Sequence, residues 1–186
     1  MSDPIVLTPE RLAAFLGHAV SAALAARVQA SPRGRAAFDR LLDHRFGTLP
    51  PLDPVQRHVA ALDSAGWATL VLDLGAAWSA RQIAGIVAGD HVRALVAAIG
   101  PERRSIALGA LAHAPAPDDE RPVAPDALVA AMPGNGAACL IAWCELQPAA
   151  LSARLRLRLP EGLRPDARHR AQGPALVAHL VGVARE

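Results

Sequence analysis

The chain has 186 residues, a formal net charge of +2, 52% hydrophobic residues and 19% charged ones. That length suits about one domain with its own core, and that composition excludes a disordered chain. A pI near 9.0 does not by itself imply nucleic acid, because 17 acidic residues are spread almost as widely as 19 basic ones.

The opening MSDPIVLTPERLAAF lacks the basic and apolar regions of a secretory signal, so a cytoplasmic location is the expectation. Leu12, Phe15, Leu16, Ala19 and Val20 predict one apolar face of a long first helix. Thr8-Pro9, Ser31-Pro32 and Asp53-Pro54 each set a capping side chain before a proline, the pattern of a helix start. Phe38, Leu41 and Leu42 line a second helix, and Val55, Val59 and Leu62 a third. Trp67, Leu70, Val71, Leu74 and Trp78 line a fourth. Ser79 is placed to cap the next, with Ile83, Ile86 and Val87 inward, and Gly89 to close it. Asp90 is then placed to cap a helix with Val92, Leu95, Val96 and Ile99.

Gly100-Pro101 opens a helix around Ile106, Ala110 and Leu111. Ala124-Pro125, Gln147-Pro148 and Gly173-Pro174 also read as starts, the last for a helix with Leu176, Val177, Leu180 and Val181. His113 to Pro125 holds four prolines and the charged run Asp118, Asp119, Glu120 and Arg121. It reads as an exposed loop whose charges suit solvent or a charged partner. Pro160 to Gln172 reads as a second loop. Strand signals are scarce, although 69–74 and 154–159 alternate well enough for a minor β element. No apolar run approaches the roughly 18 residues needed to span a bilayer.

Gly136 to Pro160 carries the strongest pattern. Asn135 is placed to cap an apolar helix with Ala137, Leu140, Ile141 and Cys144 on one stripe, and Trp143 is read as core. Pro148 breaks that helix and opens another, in which Leu151 and Leu155 share the inward face. In a helix Arg154 and Arg158 flank that face and Arg156 points away; in a strand the three arginines share one side. Ala, Leu and Arg as helix formers, with Pro160 as a stop, favour the helix.

Trp143, Leu146, Pro148, Leu151 and the run ArgLeuArgLeuArgLeuPro at 154–160 resemble the C-terminal half of the SctK family of type III secretion proteins. Leu72-x-Leu-Gly75, then Arg81, Ile83 and an apolar run to Ile99-Gly100-Pro101, resembles that family's central region. The likeness covers 49–160. It implies a non-enzymatic cytoplasmic adaptor of the injectisome's sorting platform, without a cofactor. Its partners would be the cytoplasmic domain of the inner-membrane ring protein SctD and the pod protein SctQ, with SctL and the ATPase SctN held indirectly. The chain would meet the membrane only through SctD.

The residues offer no rival constellation. His44, His58, His91, His113, His169 and His179 are scattered, match no HExxH, and read as surface histidines. Asp39 with Asp43, and Asp63 with Asp73, are acid pairs in spacing only. Cys139 and Cys144 fit no zinc spacing and read as small core residues of a reducing compartment. Arg103-Arg104 and 164–170 are basic, but the aromatics that would stack bases are only 3% of the chain. The expectation is therefore one all-α domain over 1–186, of about nine to eleven short helices. Trp67, Trp78, Trp143, Leu151 and Leu155 are its expected core, and Asp118, Asp119, Glu120, Arg121 and Arg156 its candidate partner contacts. An enzyme whose pocket gathers a histidine and an acid, or a helical regulator that binds nucleic acid, are the alternatives.

Overall fold

A computed structural model describes residues 9, 12–13, 19–116, 123–160 and 162–183. Ten helices run through them, and no strand occurs among the described residues. In chain order they are α1 (Ala22–Ala30), α2 (Pro32–Phe46), α3 (Pro54–Ala61), α4 (Ser64–Trp78) and α5 (Ala80–Gly85). Then come α6 (Gly89–Ile99), α7 (Pro101–Gly109), α8 (Pro125–Glu145), α9 (Ala149–Arg156) and α10 (Ala167–Val183). The two strand candidates are overturned: 69–74 lies within α4, and 154–156 ends α9 before a turn. Their Ala-rich flanks favour helix.

Several starts follow their caps. Ser31 Oγ accepts from Gly34 N at 3.3 Å, ahead of Pro32. Asp53 and Gln56 form a reciprocal capping box at 2.8 Å each way, ahead of Pro54. Pro101 and Pro125 sit in first turns, where a missing N–H costs nothing. Other starts differ. Ser79 sits before α5 without a side-chain cap bond, and Asp90 lies in the first turn of α6 behind Ala88. Pro148 is the residue before α9, its carbonyl accepting from Leu151 and Ser152 N at 2.9 Å. Of the expected first helix, Leu12 is helical and buried, Ala19 and Val20 lie outside any helix, and Phe15 and Leu16 fall outside the described residues.

Two prolines do not break their helices. Pro133 lies inside α8 and Pro174 inside α10, so α8 begins at Pro125 rather than after Asn135, and α10 begins at Ala167 rather than at Pro174. Tertiary packing outweighs the lost hydrogen bonds. A Cβ on Gly75 would lie 2.0 Å from the Met132 carbonyl oxygen, and one on Gly136 would lie 1.8 Å from that of Val71. Only glycine lets the backbones of α4 and α8 come this close. Gly173 does the same between α10 and α8, where a Cβ would meet Cys139 Cα at 2.9 Å.

The central pair is therefore α4 with α8, and α10 lies against both. From Gly136 to Cys144, α8 is buried on every side rather than along one stripe. Joined across Pro133, α8 is long and apolar enough by length and composition to span a membrane, although most of that stretch is buried inside the fold. A core helix enclosed by neighbours has the same composition. The main core joins Val59, Trp67, Leu74, Leu140, Leu155 and Val177. A second cluster holds α5, α6 and α7 through Ile83, Leu95, Ile99 and Ala107. A third ties α1 and α2 to Leu157 through Ala25, Phe38 and Leu42.

Candidate functional site

The α4 helix carries Gly66, Thr69, Leu70 and Asp73 at i, i+3, i+4 and i+7, one stripe along two turns. That stripe is the floor of an open groove of about 620 Å³. Ile106 and Gly109 of α7 form one wall, and Leu180 of α10 the other. The lining is mostly apolar, and the volume lies within the range of about 300–1,000 Å³ usual for binding pockets. Gly66 and Gly109 put no side chain into it. Few polar groups meet the groove. His58 and His179 are among its lining, and the His113 ring packs on His179 with centroids 4.4 Å apart. Asp73 is engaged by Arg103 Nε at 2.7 Å, and the same guanidinium donates from Nη1 to the Ile99 carbonyl at 3.1 Å.

A second, polar pocket of about 240 Å³ opens at the start of α10. It brings together His169, Asp166, Ser79 and Asn135 with Arg81 and Arg168. Asp166 accepts from His169 N at 2.8 Å as the helix cap, and the His169 Nδ1 lies 2.8 Å from the same oxygen. These hydrogen bonds, the backbone one first, hold the Asp166 carboxyl below its ordinary range. The His169 ring stacks on Trp78 at 4.0 Å with an interplanar angle of 6°. Arg168 lies over the Trp78 ring at 5.8 Å and donates to the Ala116 carbonyl. His169 is thus buried, which corrects its reading as a surface histidine. Its isolated position hid the contact, because Trp78 is far away in the sequence.

The remaining expected residues separate clearly. Trp67, Trp143, Leu151 and Leu155 are buried in the main core. Trp78 is only half-buried, a correction, because one face forms the pocket wall. Arg156 is exposed, on the side of α9 away from Leu151 and Leu155. Arg154 Nη2 pairs with Asp43 at 2.6 Å, and Arg158 lies over the Trp67 ring at 5.5 Å. Asp118, Asp119, Glu120 and Arg121 lie outside the described residues.

The expected acid pairs are not sites: Asp43 and Asp73 are held by arginines, and Asp63 caps α4 by accepting from Gly66 N at 2.7 Å. Among the described residues no group of three or more His, Cys, Asp or Glu could hold a metal. Burial pushes the Cys139 and Cys144 thiols up to about 12, as suits inert core residues. Val87, expected inward, is 86% exposed because α5 ends at Gly85; Leu41 is likewise exposed, and Leu146 is 70% exposed at the bend before α9.

The chain is 32% identical over 164 residues to the nodulation protein NolU of Rhizobium fredii, covering 83% of this chain and 70% of that protein. The same identity and coverage hold for the nodulation protein NolU of Sinorhizobium fredii (strain NBRC 101917 / NGR234). No family model and no solved structure matches the chain.

Proposed function

The chain belongs to the family of the nodulation protein NolU, and from that premise we propose that it serves type III secretion as a non-enzymatic cytoplasmic adaptor. On this reading it bridges the cytoplasmic domain of SctD and the pod protein SctQ in the sorting platform, and so holds SctL and SctN indirectly. The resemblance of 49–160 to the SctK family supports the secretion context. The observation that carries the adaptor role is the open apolar groove along α4, a surface suited to recognition beside the core that α8 centres. Large apolar surfaces left open on small domains are typical of places where partners bind. Weak, transient regulatory contacts suit such a module. Co-purification of the full chain with each of the two partners tests the reading; retention of neither partner would dismiss it.

An enzyme is the second reading, because the polar pocket does gather a histidine and an acid. Its geometry argues against catalysis. Asp166 occupies the His169 Nδ1, and Nε2, the nitrogen a substrate would need, is buried without a hydrogen-bond partner among the described residues. Trp78 covers one face of the ring. A base that reaches no solvent meets no substrate proton. The pair instead fastens the start of α10 to α4. His169→Gln is expected to leave secretion intact, and loss of secretion by a variant with an unchanged melting curve would revive the enzyme.

A further inference from the structure

The α2 helix carries Arg33, Ala37, Arg40 and His44 at steps of four, three and four residues. At 3.6 residues per turn they fall on one straight stripe about 16 Å long. Leu42 lies half a turn round from that stripe and is fully buried, in a cluster with Phe38 and Leu157. All four stripe residues are exposed, as are Ala36 and Leu41 beside them. Arg33 and Arg40 make no ion pair or side-chain hydrogen bond among the described residues. The two aspartates of α2 stand off the stripe. Asp43 is held by Arg154 at 2.6 Å, and Asp39 lies about 100° round the helix from Arg40.

We propose that this stripe receives an acidic helix of a protein partner, laid along α2 with its carboxylates at the same four-three spacing. The charge fits that occupant. Between Ala19 and Leu49 the chain has five arginines against two aspartates, a surplus of three, while the whole chain has a net charge of only +2. The register fits it too. Steps of four and three are those by which one helix seats along another, and neither a lipid surface nor a phosphate backbone requires them. Ala36 and Ala37 keep the middle of the stripe low, so a second helix comes close to α2 there. Its carboxylates then meet Arg33 and Arg40, whose planar guanidiniums, seven residues apart, fix the alignment. A basic helix lying on a membrane buries its apolar face in lipid, but Phe38 and Leu42 on that face of α2 are packed inside the fold. The stripe has no aromatic ring on which a nucleic-acid base could stack.

The test places a photo-crosslinking benzoylphenylalanine at Ala37, in the full chain produced in its own cells, with the crosslinked peptide sequenced. The expected peptide belongs to another protein and carries Asp or Glu at steps of three and four. Arg33→Glu with Arg40→Glu is expected to lower the crosslink yield about tenfold or more, a loss of one decade in affinity or greater, because two attractions become repulsions. Both positions are exposed, and position 33 lies in the first turn of α2, where a negative charge suits the helix dipole, so the fold accepts the change. Arg33→Gln with Arg40→Gln, which removes the charges without reversing them, is expected to lower the yield in the same direction. Lysines in place of the matched acids of the captured helix are expected to restore the crosslink to the charge-reversed chain.

A crosslink to a second copy of this chain, to a lipid, to nucleic acid, or to a segment without acids at that spacing would overturn the proposal. So would no crosslink, a yield unchanged in both charge variants, or no restoration by the lysine-bearing helix. Retention of SctD and SctQ tests the adaptor reading separately, so either conclusion can fail without the other.

Discussion

Leu155 and Arg156 are neighbours with opposite environments. Leu155 is 3% exposed in the main core, and Arg156 faces solvent. Burying a leucine of this kind contributes about 1.5–3 kcal/mol. Leu155→Asp replaces it with an unpaired buried carboxylate, a change expected to cost several kcal/mol, on the order of the whole stability of a small domain. Arg156→Glu is expected to leave the thermal melt unchanged within about 0.5 kcal/mol. Circular-dichroism melts of the two variants check both outcomes.

Asp166 gives a second prediction at this scale. Its carboxyl is held below the ordinary range mainly by the His169 backbone N–H. The sign follows from a folded pKa below the unfolded one. The stabilisation is present above the ordinary value, about 3.9, and is lost as pH falls through the depressed folded value. Asp166→Asn, which keeps a capping oxygen but no charge, is expected to flatten the low-pH limb of the stability curve. An identical acid limb in variant and wild type would show that the cap contributes no linked proton.

Among the helices, the decisive contacts are those of glycine. Gly75→Ala or Gly136→Ala puts a methyl within 2.0 Å or 1.8 Å of a backbone oxygen on the facing helix, so α4 and α8 must separate. Overpacking of this kind costs about 1–3 kcal/mol or more. Gly109→Ala, with open space around its Cβ, is expected to be neutral or to stabilise α7 by about 0.5–1 kcal/mol. Urea melts of the three variants separate the two classes.

These contacts also explain what could be read from the chain. The helices α2, α3 and α7 were legible, because Ser31, Asp53 and Gly100 with the prolines after them are local signals that act within one turn, whereas α9 ends at Arg156, short of the expected stop at Pro160. The bend at Pro148 and the opposed faces of Leu155 and Arg156 were legible for the same reason. The continuity of α8 across Pro133 was not, since it depends on Gly75, more than fifty residues away. The groove was hidden likewise. Gly66, Thr69 and Leu70 look like an ordinary helix face until α7 and α10 rise beside them. The His169–Trp78 stack is a tertiary contact with no trace in spacing.

At the scale of the whole molecule, the buried half of α8, from Gly136 to Cys144, belongs to a helix packed by α4, α9 and α10, and two further apolar clusters complete the described body. Such a body presents rigid helix faces, and two partners can bind it at once only if their surfaces are separate. The groove along α4 and the Arg156 face of α9 lie on different helices, and the proposed bridging would use one for each partner. The most direct measurement immobilises the SctD cytoplasmic domain and asks whether SctQ is retained with and without this chain. The account predicts that SctQ stays on the column only when the chain is present, and that this bridging is lost in a chain blocked by Gly109→Trp together with Arg156→Glu. Retention of SctQ to the same extent without the chain, or no retention of the chain by SctD or SctQ, would contradict it.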